Sequence, residues 1–184
     1  MDKIYRKQLL DMAKKSIKYA LEHNARLTIN PEEFDSVLRE KRATFVTLHI
    51  SGELRGCIGS LSAHRPLIED LSSNAYSAAF RDPRFPPLKE SEFEQLHYHI
   101  SILSQSSPLL FKSEKELIEQ LRPHVDGLIL TEGMNRGTFL PSVWEQLPDR
   151  DMFLKHLKQK AGLNQDYWSD SITIERYEVD SFEG

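Results

Sequence analysis

The sequence has one cysteine in 184 residues, Cys57, and this scarcity limits what the chain can be. A single thiol cannot form a disulfide within the chain, so nothing indicates an oxidising compartment. No apolar run approaches the roughly 18 residues that a membrane-spanning helix requires. The opening segment MDKIYRKQLLDMAKKS mixes charges throughout and lacks the apolar centre of a signal peptide. We therefore expect a cytoplasmic protein that does not enter a membrane.

Positive charge is also scarce. The chain has 24 Lys and Arg against 28 Asp and Glu, which gives a formal net charge of −4. A nucleic-acid binder needs a basic surface that displaces counterions, so the composition argues against nucleic acid as a partner. The sequence contains no phosphate-binding glycine loop, no Ser-His-Asp order and no paired-carboxylate motif. We predict no cofactor, and the oligomeric state is left open.

Apolar periodicity predicts an interleaved series of helices and strands. The helices are predicted over residues 3–23, 66–80, 113–121 and 149–161, and the strands over 45–50, 54–60, 97–104, 127–131, 137–140 and 171–179. Two pairs of neighbouring strands are typical of hairpins, so we expect antiparallel pairing and the α+β class, with antiparallel sheet or sheets flanked by helices. Without a linker or repeat, a chain of this length is predicted to form one domain over residues 1–184.

The cysteine lies in ELRGCIGS, the second strand of the first predicted hairpin. We predict a three-residue loop, Ser51-Gly52-Glu53, because a two-residue loop would mix apolar and polar residues on both faces. In the chosen register the apolar face pairs Ile50 with Leu54, Leu48 with Gly56 and Val46 with Ile58, and the other face pairs His49 with Arg55 and Thr47 with Cys57.

This register predicts charged and polar neighbours for the thiol. Arg55 lies on the same side as Cys57, about 7 Å along the strand, where a guanidinium favours the thiolate. His49 is a diagonal neighbour at a similar distance. Gly56 and Gly59 leave room for a ligand. A structural alternative stays open, because a free cysteine usually packs as a small hydrophobe and strand glycines also mark close packing.

Two other groups of residues could carry chemistry. Arg81, Asp82 and Arg84 crowd a proline-stiffened loop, where two arginines could clamp a phosphate or carboxylate. Equally, a salt bridge from Asp82 to an arginine could fix the end of the preceding helix. His97 and His99 share one face of a strand, a spacing that metals use, but no third ligand lies nearby in sequence. We predict no metal site.

LRGCIG at Leu54–Gly59 and RDPRFPP at Arg81–Pro87 match hallmark segments of a known family. Further matching segments are DGLIL at 126–130, RGTFLPSVWEQLP at 136–148, FLKHLKQKAGL at 153–163 and DYWSDSITIERY at 166–177. Through these segments the chain resembles the AMMECR family, whose bacterial and archaeal members are labelled AmmeMemoRadiSam system protein A. The resemblance is strongest over residues 43–180, which leaves 1–42 as an N-terminal helix and lead-in.

The resemblance implies a compact α+β fold with a larger and a smaller lobe, and it places the functional site at the hallmark segment. By its label alone, the family implies two partners, a Memo-type protein and a radical-SAM enzyme.

We carry forward two hypotheses. In the first, the protein is an enzyme or transfer component whose catalytic residues are Cys57, Arg55 and His49. Its binding residues are Leu54, Gly56, Ile58, Gly59, Arg81, Asp82 and Arg84. In the second, the protein is a non-catalytic module that binds a small ligand or a protein, and Cys57 only packs.

Overall fold

The computed structural model describes all residues, 1–184. Its α-helices are α1 (Lys3–His23), α2 (Ser36–Arg39), α3 (Leu67–Phe80), α4 (Glu114–Gln120) and α5 (Arg150–Lys160). Its strands are β1 (Ala43–Ile50), β2 (Glu53–Gly59), β3 (Leu96–Leu103), β4 (Ser107–Leu109), β5 (Gly127–Glu132), β6 (Asn135–Phe139), β7 (Thr173–Tyr177) and β8 (Val179–Glu183). Short 3₁₀ helices cover Pro31–Glu33, Glu90–Gln95 and Pro141–Glu145. None of the helices has both the length and the apolar character needed to cross a membrane.

The contacts divide the chain into two compact units. Unit 1 comprises Met1–Leu103 and Asp180–Gly184, and unit 2 comprises Ser104–Val179. Unit 1 contains a four-stranded sheet in the order β2-β1-β3-β8, and unit 2 contains one in the order β4-β7-β5-β6. The predicted α+β class is confirmed, because antiparallel pairs and helices make up both units. The single domain over residues 1–184 stays a prediction.

In unit 1, α1 and α3 provide the apolar side chains that cover one face of the sheet. The side chain of Asp2 accepts a hydrogen bond from the Ile4 amide, which caps the start of α1, and Asn24 ends it with a φ of 51°. Leu9, Ala13 and Ile17 recur at helical spacing along α1 and are fully buried. They join the core that α3 shares with the inner face of β1 and β3.

Unit 2 has a core of its own. The ring of Trp144 is fully buried and stacks on Phe153 of α5, with centroids 3.6 Å apart and an interplanar angle of 6°. The Trp144 indole N–H donates to the Asp126 carbonyl oxygen at 2.8 Å, which satisfies its one polar atom. Lys158 is also buried; its ammonium group donates to Glu114 and to the Gln165 carbonyl oxygen.

The end of the chain corrects one predicted element. The single strand predicted over 171–179 is two strands, since β7 ends at Tyr177 and β8 begins at Val179 in the other sheet. Gly184 exchanges both backbone hydrogen bonds with Tyr98 of β3, each 3.0 Å long. Periodicity missed the change because both strands alternate in the same way and only the pairing partner differs. The short elements α2 and β4 were missed as well.

Candidate thiol site

At Cys57 the hairpin of β1 and β2 pairs as predicted. The confirmed pairs are Val46 with Ile58, Thr47 with Cys57 and Leu48 with Gly56. The backbone N–H and carbonyl of Cys57 meet Asp82 and Arg84 at the free edge of β2. Because these groups point away from β1, Thr47 and Cys57 form a non-hydrogen-bonded pair, the kind in which side chains lie closest.

Near the turn the predicted register is wrong. Ile50 pairs with Glu53 across a two-residue turn, and His49 pairs with Leu54 rather than with Arg55. Ser51 and Gly52 both have positive φ angles, 52° and 82°, as in the type I′ turns that match the twist of a hairpin. The register shifts between Leu48 and His49, which leaves Arg55 as a bulge residue and restores the predicted pairing beyond it.

The Cys57 thiol is half-buried and has a hydrogen-bond donor beside it. The Thr47 hydroxyl donates to the sulfur, with Oγ1 and Sγ 3.1 Å apart. A donor in this position favours negative charge on the sulfur. The pKa of Arg84 is raised first by its hydrogen bond to Asp82. Arg84 also contacts the Cys57 peptide, through its Nη2.

Asp82 links the proline-stiffened loop to the edge of β2. Its carboxylate is buried and accepts the Cys57 amide at 2.9 Å. Nε and Nη2 of Arg84 donate to the two oxygens of the same carboxylate, at 2.9 and 2.7 Å. Arg84 Nη2 also lies 3.4 Å from the Cys57 carbonyl oxygen. The loop thus covers the exposed strand edge at Cys57, while the Arg84 side chain stays 54% exposed.

This arrangement predicts an acid-sensitive contribution to stability. Hydrogen bonds from Arg84 hold the pKa of Asp82 well below its usual range. A lowered pKa stabilises the fold above the unfolded value of about 4, and that stability is lost as the pH falls toward the folded value. We expect Asp82→Asn to lower the free energy of unfolding at neutral pH, with a gap from the unmodified protein that narrows near about pH 3. Urea unfolding at the two pH values measures the gap, and a gap that is constant with pH would contradict the ion pair.

Arg55 is bound away from the thiol. Its guanidinium donates to both Glu92 oxygens, at 2.7 and 3.1 Å, and to the Pro86 carbonyl oxygen at 3.0 Å. The hydrogen bond from Arg55 lowers the pKa of Glu92. These contacts hold the Arg55 guanidinium against Glu92 and Pro86, and its predicted catalytic role stays a prediction. One Arg55 nitrogen, Nη1, is nevertheless buried without any hydrogen-bond partner.

The two glycines beside Cys57 face neighbouring groups. A Cβ atom on Gly56 would lie 2.1 Å from the backbone oxygen of Ala78 in α3. A Cβ atom on Gly59 would lie 2.2 Å from the ring of Phe45. Both glycines favour the packing alternative that the sequence left open, because atoms of unit 1 occupy the space beside each of them.

The other predicted site residues scatter. Leu54 is exposed, and Ile58 packs against the core of unit 1. Arg81 is exposed at the end of α3, where its backbone N–H donates to the Ser77 carbonyl oxygen. The structure thus brings together Cys57, Asp82 and Arg84 but not Arg81 or Ile58. It adds two residues that no motif marked, Thr47 as the donor to sulfur and Glu92 as the partner of Arg55.

Pairing across the sheet gathers histidines beside this site. His49 of β1 lies opposite His97 of β3, and Thr47 lies opposite His99. The outer face therefore holds a third imidazole that sequence distance alone could not reveal. No group of three His, Cys, Asp or Glu side chains is placed so that it could hold a metal ion. His49 lies one alternating position along β1 from Thr47, and its predicted catalytic role stays a prediction.

Comparison with known proteins identifies the family of this chain. The sequence model of the AMMECR1 family matches residues 10–182, so the chain belongs to the AMMECR1 family, as the motifs predicted. A protein of Methanothermobacter thermautotrophicus is 37% identical over 176 residues, which covers 95% of this chain and 91% of that protein. Protein MJ0810 of Methanocaldococcus jannaschii is 40% identical over 156 residues, covering 83% and 78%.

A solved structure has the same fold. The crystal structure of protein PH0010 from Pyrococcus horikoshii superposes with a TM-score of 0.79 and 30% identity, and the match covers 95% of this chain and 89% of that chain. The compact α+β fold predicted from the resemblance is thus confirmed. The cytoplasmic location, the Memo-type protein and the radical-SAM enzyme stay predictions.

Proposed function

We propose that this AMMECR1-family chain is a thiol-dependent transfer component in which Cys57 is the nucleophile and Arg84 receives an anionic group of the substrate. The observation that carries the proposal is the half-exposed sulfur that accepts the Thr47 hydroxyl. Asp82 and Arg84 hold the Cys57 backbone on its other side, so the sulfur is attached to a fixed peptide. A nucleophile held in this way loses little orientational freedom on reaction.

The chemistry assigns a separate task to each residue. The thiol first gives its proton to solvent water, and the sulfur keeps the hydrogen bond that the Thr47 hydroxyl donates to it. The sulfur then forms a bond to an electrophilic carbon of the substrate, and the leaving group departs with the bonding electron pair. Arg84 keeps exposed N–H groups after binding Asp82, and these suit a carboxylate or phosphate on the substrate.

Alkylation of the single cysteine tests the proposal directly. We expect the folded protein to react with iodoacetamide at neutral pH faster than the urea-unfolded chain does, because the sulfur is held in one orientation by the Thr47 hydroxyl and by a fixed backbone. Anionic iodoacetate should gain a further advantage of about two- to fivefold from Arg84, which corresponds to a partly exposed charge pair. The measured quantity is the ratio of the two alkylation rates, which cancels differences in simple accessibility.

Three variants separate the roles. Arg84→Gln should remove the preference for iodoacetate, and Arg84→Lys should restore part of it. Thr47→Val should slow both reagents alike. Arg39→Gln, which removes an arginine paired with Glu32 outside the site, should change nothing. If Cys57 is labelled only on unfolding, or if the ratio of the two rates is the same in the Arg84 variants, the proposed function is wrong.

A second candidate function is a non-catalytic module that binds an anion beside Arg55. The buried and unpartnered Nη1 of Arg55 favours it, because an orphaned guanidinium donor calls for an acceptor. The Phe85 ring lies under both arginines, 5.9 Å from the Arg55 guanidinium carbon and 5.5 Å from that of Arg84. Inorganic phosphate is the probe. In this case Cys57→Ala should bind phosphate normally while Arg55→Lys loses binding.

A further inference from the structure

A cavity in unit 1 lies away from the thiol, between the loop after α1 and α3. Its volume is about 240 Å³. The loop at residues 26–29 lines one part of it, and the remaining lining residues are Arg65, Glu69, Ser72, Ser73 and Tyr76. A polar cavity of this kind is a candidate ligand site when its charged groups lack protein partners.

Two guanidinium groups supply donors to the cavity. The exposed Arg26 stacks over the Tyr76 ring, 4.7 Å from the centroid, and forms no ion pair within unit 1. The Arg65 Nε donates to the buried Asp70 carboxylate at 2.8 Å, which fixes the side chain and leaves its two terminal nitrogens unengaged by Asp70. Guanidinium groups held in this manner are suited to bind a carboxylate in a defined geometry.

The opposite lining supplies acceptors. The Ser16 hydroxyl donates its only proton to the Met12 carbonyl oxygen at 2.7 Å. In its 2.8 Å contact with Ser16, Ser72 must therefore be the donor, so the free lone pairs of Ser72 can only accept. Glu69 adds a carboxylate that forms no salt bridge within unit 1. Both groups can accept hydrogen bonds from N–H or O–H donors of a ligand in the cavity.

We propose that this cavity binds a small zwitterionic α-amino acid. Its carboxylate faces Arg26 and Arg65, and its ammonium group faces Glu69 and Ser72. The charges agree with this class, because Asp70 balances Arg65 and Glu69 balances Arg26, so a ligand without net charge leaves the site neutral. A dianion would leave an excess of negative charge in the cavity.

The volume is sufficient for a ligand of this class. A cavity of about 240 Å³ has room for a free amino acid. A peptide is disfavoured because its ammonium and carboxylate groups are separated by the chain.

Thermal unfolding in the presence of each proteinogenic L-amino acid at millimolar concentration is the first experiment. We expect at least one to raise the melting temperature, and calorimetric titration then gives its Kd. The matched acid without the amino group and the matched amide without the carboxylate should bind at least about tenfold more weakly, since each loses one charged hydrogen-bonded contact. A dipeptide that begins with the same residue should bind weakly as well.

Two variants and two controls assign the site. Arg26→Gln and Glu69→Gln should each weaken binding about tenfold or more. Arg39→Gln and Glu53→Gln change the same charges on exposed residues outside the cavity and should leave the Kd unchanged. Cys57→Ser should also bind normally, and loss of binding in that variant would move the ligand to the thiol site and overturn the assignment. The proposal is also overturned if no amino acid binds, or if Glu69→Gln binds with unchanged affinity.

Discussion

Gly56→Ala is expected to lower the free energy of unfolding by about 3 kcal/mol or more, and a loss that exceeds the stability of unit 1 leaves the variant unfolded. The added methyl group would lie 2.1 Å from the Ala78 backbone oxygen and 3.1 Å from its carbonyl carbon. A side-chain rotation cannot relieve this contact, because the opposing atoms belong to the backbone of α3. The helix would have to move away from β2 and open the core that the two elements share. Chemical denaturation with far-UV circular dichroism measures the loss.

Gly133→Ala is the matched control for this substitution. Gly133 lies in the turn between β5 and β6 with a φ of 56°, and a Cβ atom there meets nothing within 4 Å. Its replacement should cost only about 1–2 kcal/mol, the cost of the left-handed conformation. If Gly56→Ala is no more destabilising than Gly133→Ala, the result contradicts a close contact between α3 and β2 at Gly56. The same comparison matters for function, because loss of any activity in Gly56 variants would report on folding and not on a ligand groove.

Asp70→Ala is expected to cost about 3 kcal/mol or more of folding free energy, because each buried donor left without an acceptor costs about 1–3 kcal/mol. The Asp70 side chain is fully buried and accepts hydrogen bonds from five donor atoms. They are the Thr44 amide at 2.8 Å, the Thr44 hydroxyl at 2.7 Å, the Ser60 hydroxyl at 3.0 Å, the Asn74 amide at 2.9 Å and the Arg65 Nε at 2.8 Å. Removal of the carboxylate would leave the buried Thr44 and Asn74 donors without this acceptor. Urea denaturation of purified variants gives the free-energy difference.

Glu32→Ala is the control for the carboxylate. Glu32 pairs with Arg39 at 2.7 Å, but its side chain is 76% exposed, so its loss should cost less than about 1 kcal/mol. Asp70→Asn should fall between the two, since it keeps one acceptor oxygen and places an amide donor against other donors. A loss in Asp70→Ala as small as that in Glu32→Ala would show that the network does not hold β1, Ser60 and α3 together.

Local sequence signals predicted most of the long elements. The helix over residues 3–23 is confirmed at both ends, because its apolar residues have helical spacing and it is flanked by an aspartate cap at Asp2 and a left-handed Asn24. The helix predicted over 66–80 begins one residue later, at Leu67, and ends as predicted before Asp82-Pro83. Elements without such signals were missed. The three-residue β4 has too few positions for alternation, and β8 owes its place to pairing with β3.

At the candidate site, the sequence predicted the pair of Thr47 and Cys57 but not the charges around it. Alternation along two adjacent strands fixes which residues face each other. The turn is one residue shorter than predicted, and the bulge at Arg55 restores the predicted pairing beyond it. The partner of Arg55 was out of reach, because Glu92 is 37 residues away in a short 3₁₀ helix. The interpretation of Arg55 as the cation at the thiol depended on sequence proximity alone, and Glu92 offers it a bidentate partner.

The sequence by itself determined the family, the α+β class, the first hairpin and the position of the only thiol within it. These properties depend on residue types and on short-range periodicity, which can be read from the sequence without knowledge of the tertiary contacts. Only the tertiary structure decided that Arg55 pairs with Glu92 while Arg84 binds Asp82 beside Cys57, that Gly56 accommodates α3, and that Arg26 and Glu69 line one cavity. These decisions require residues far apart in the chain to meet, and a distance in space set by packing leaves no trace in local pattern.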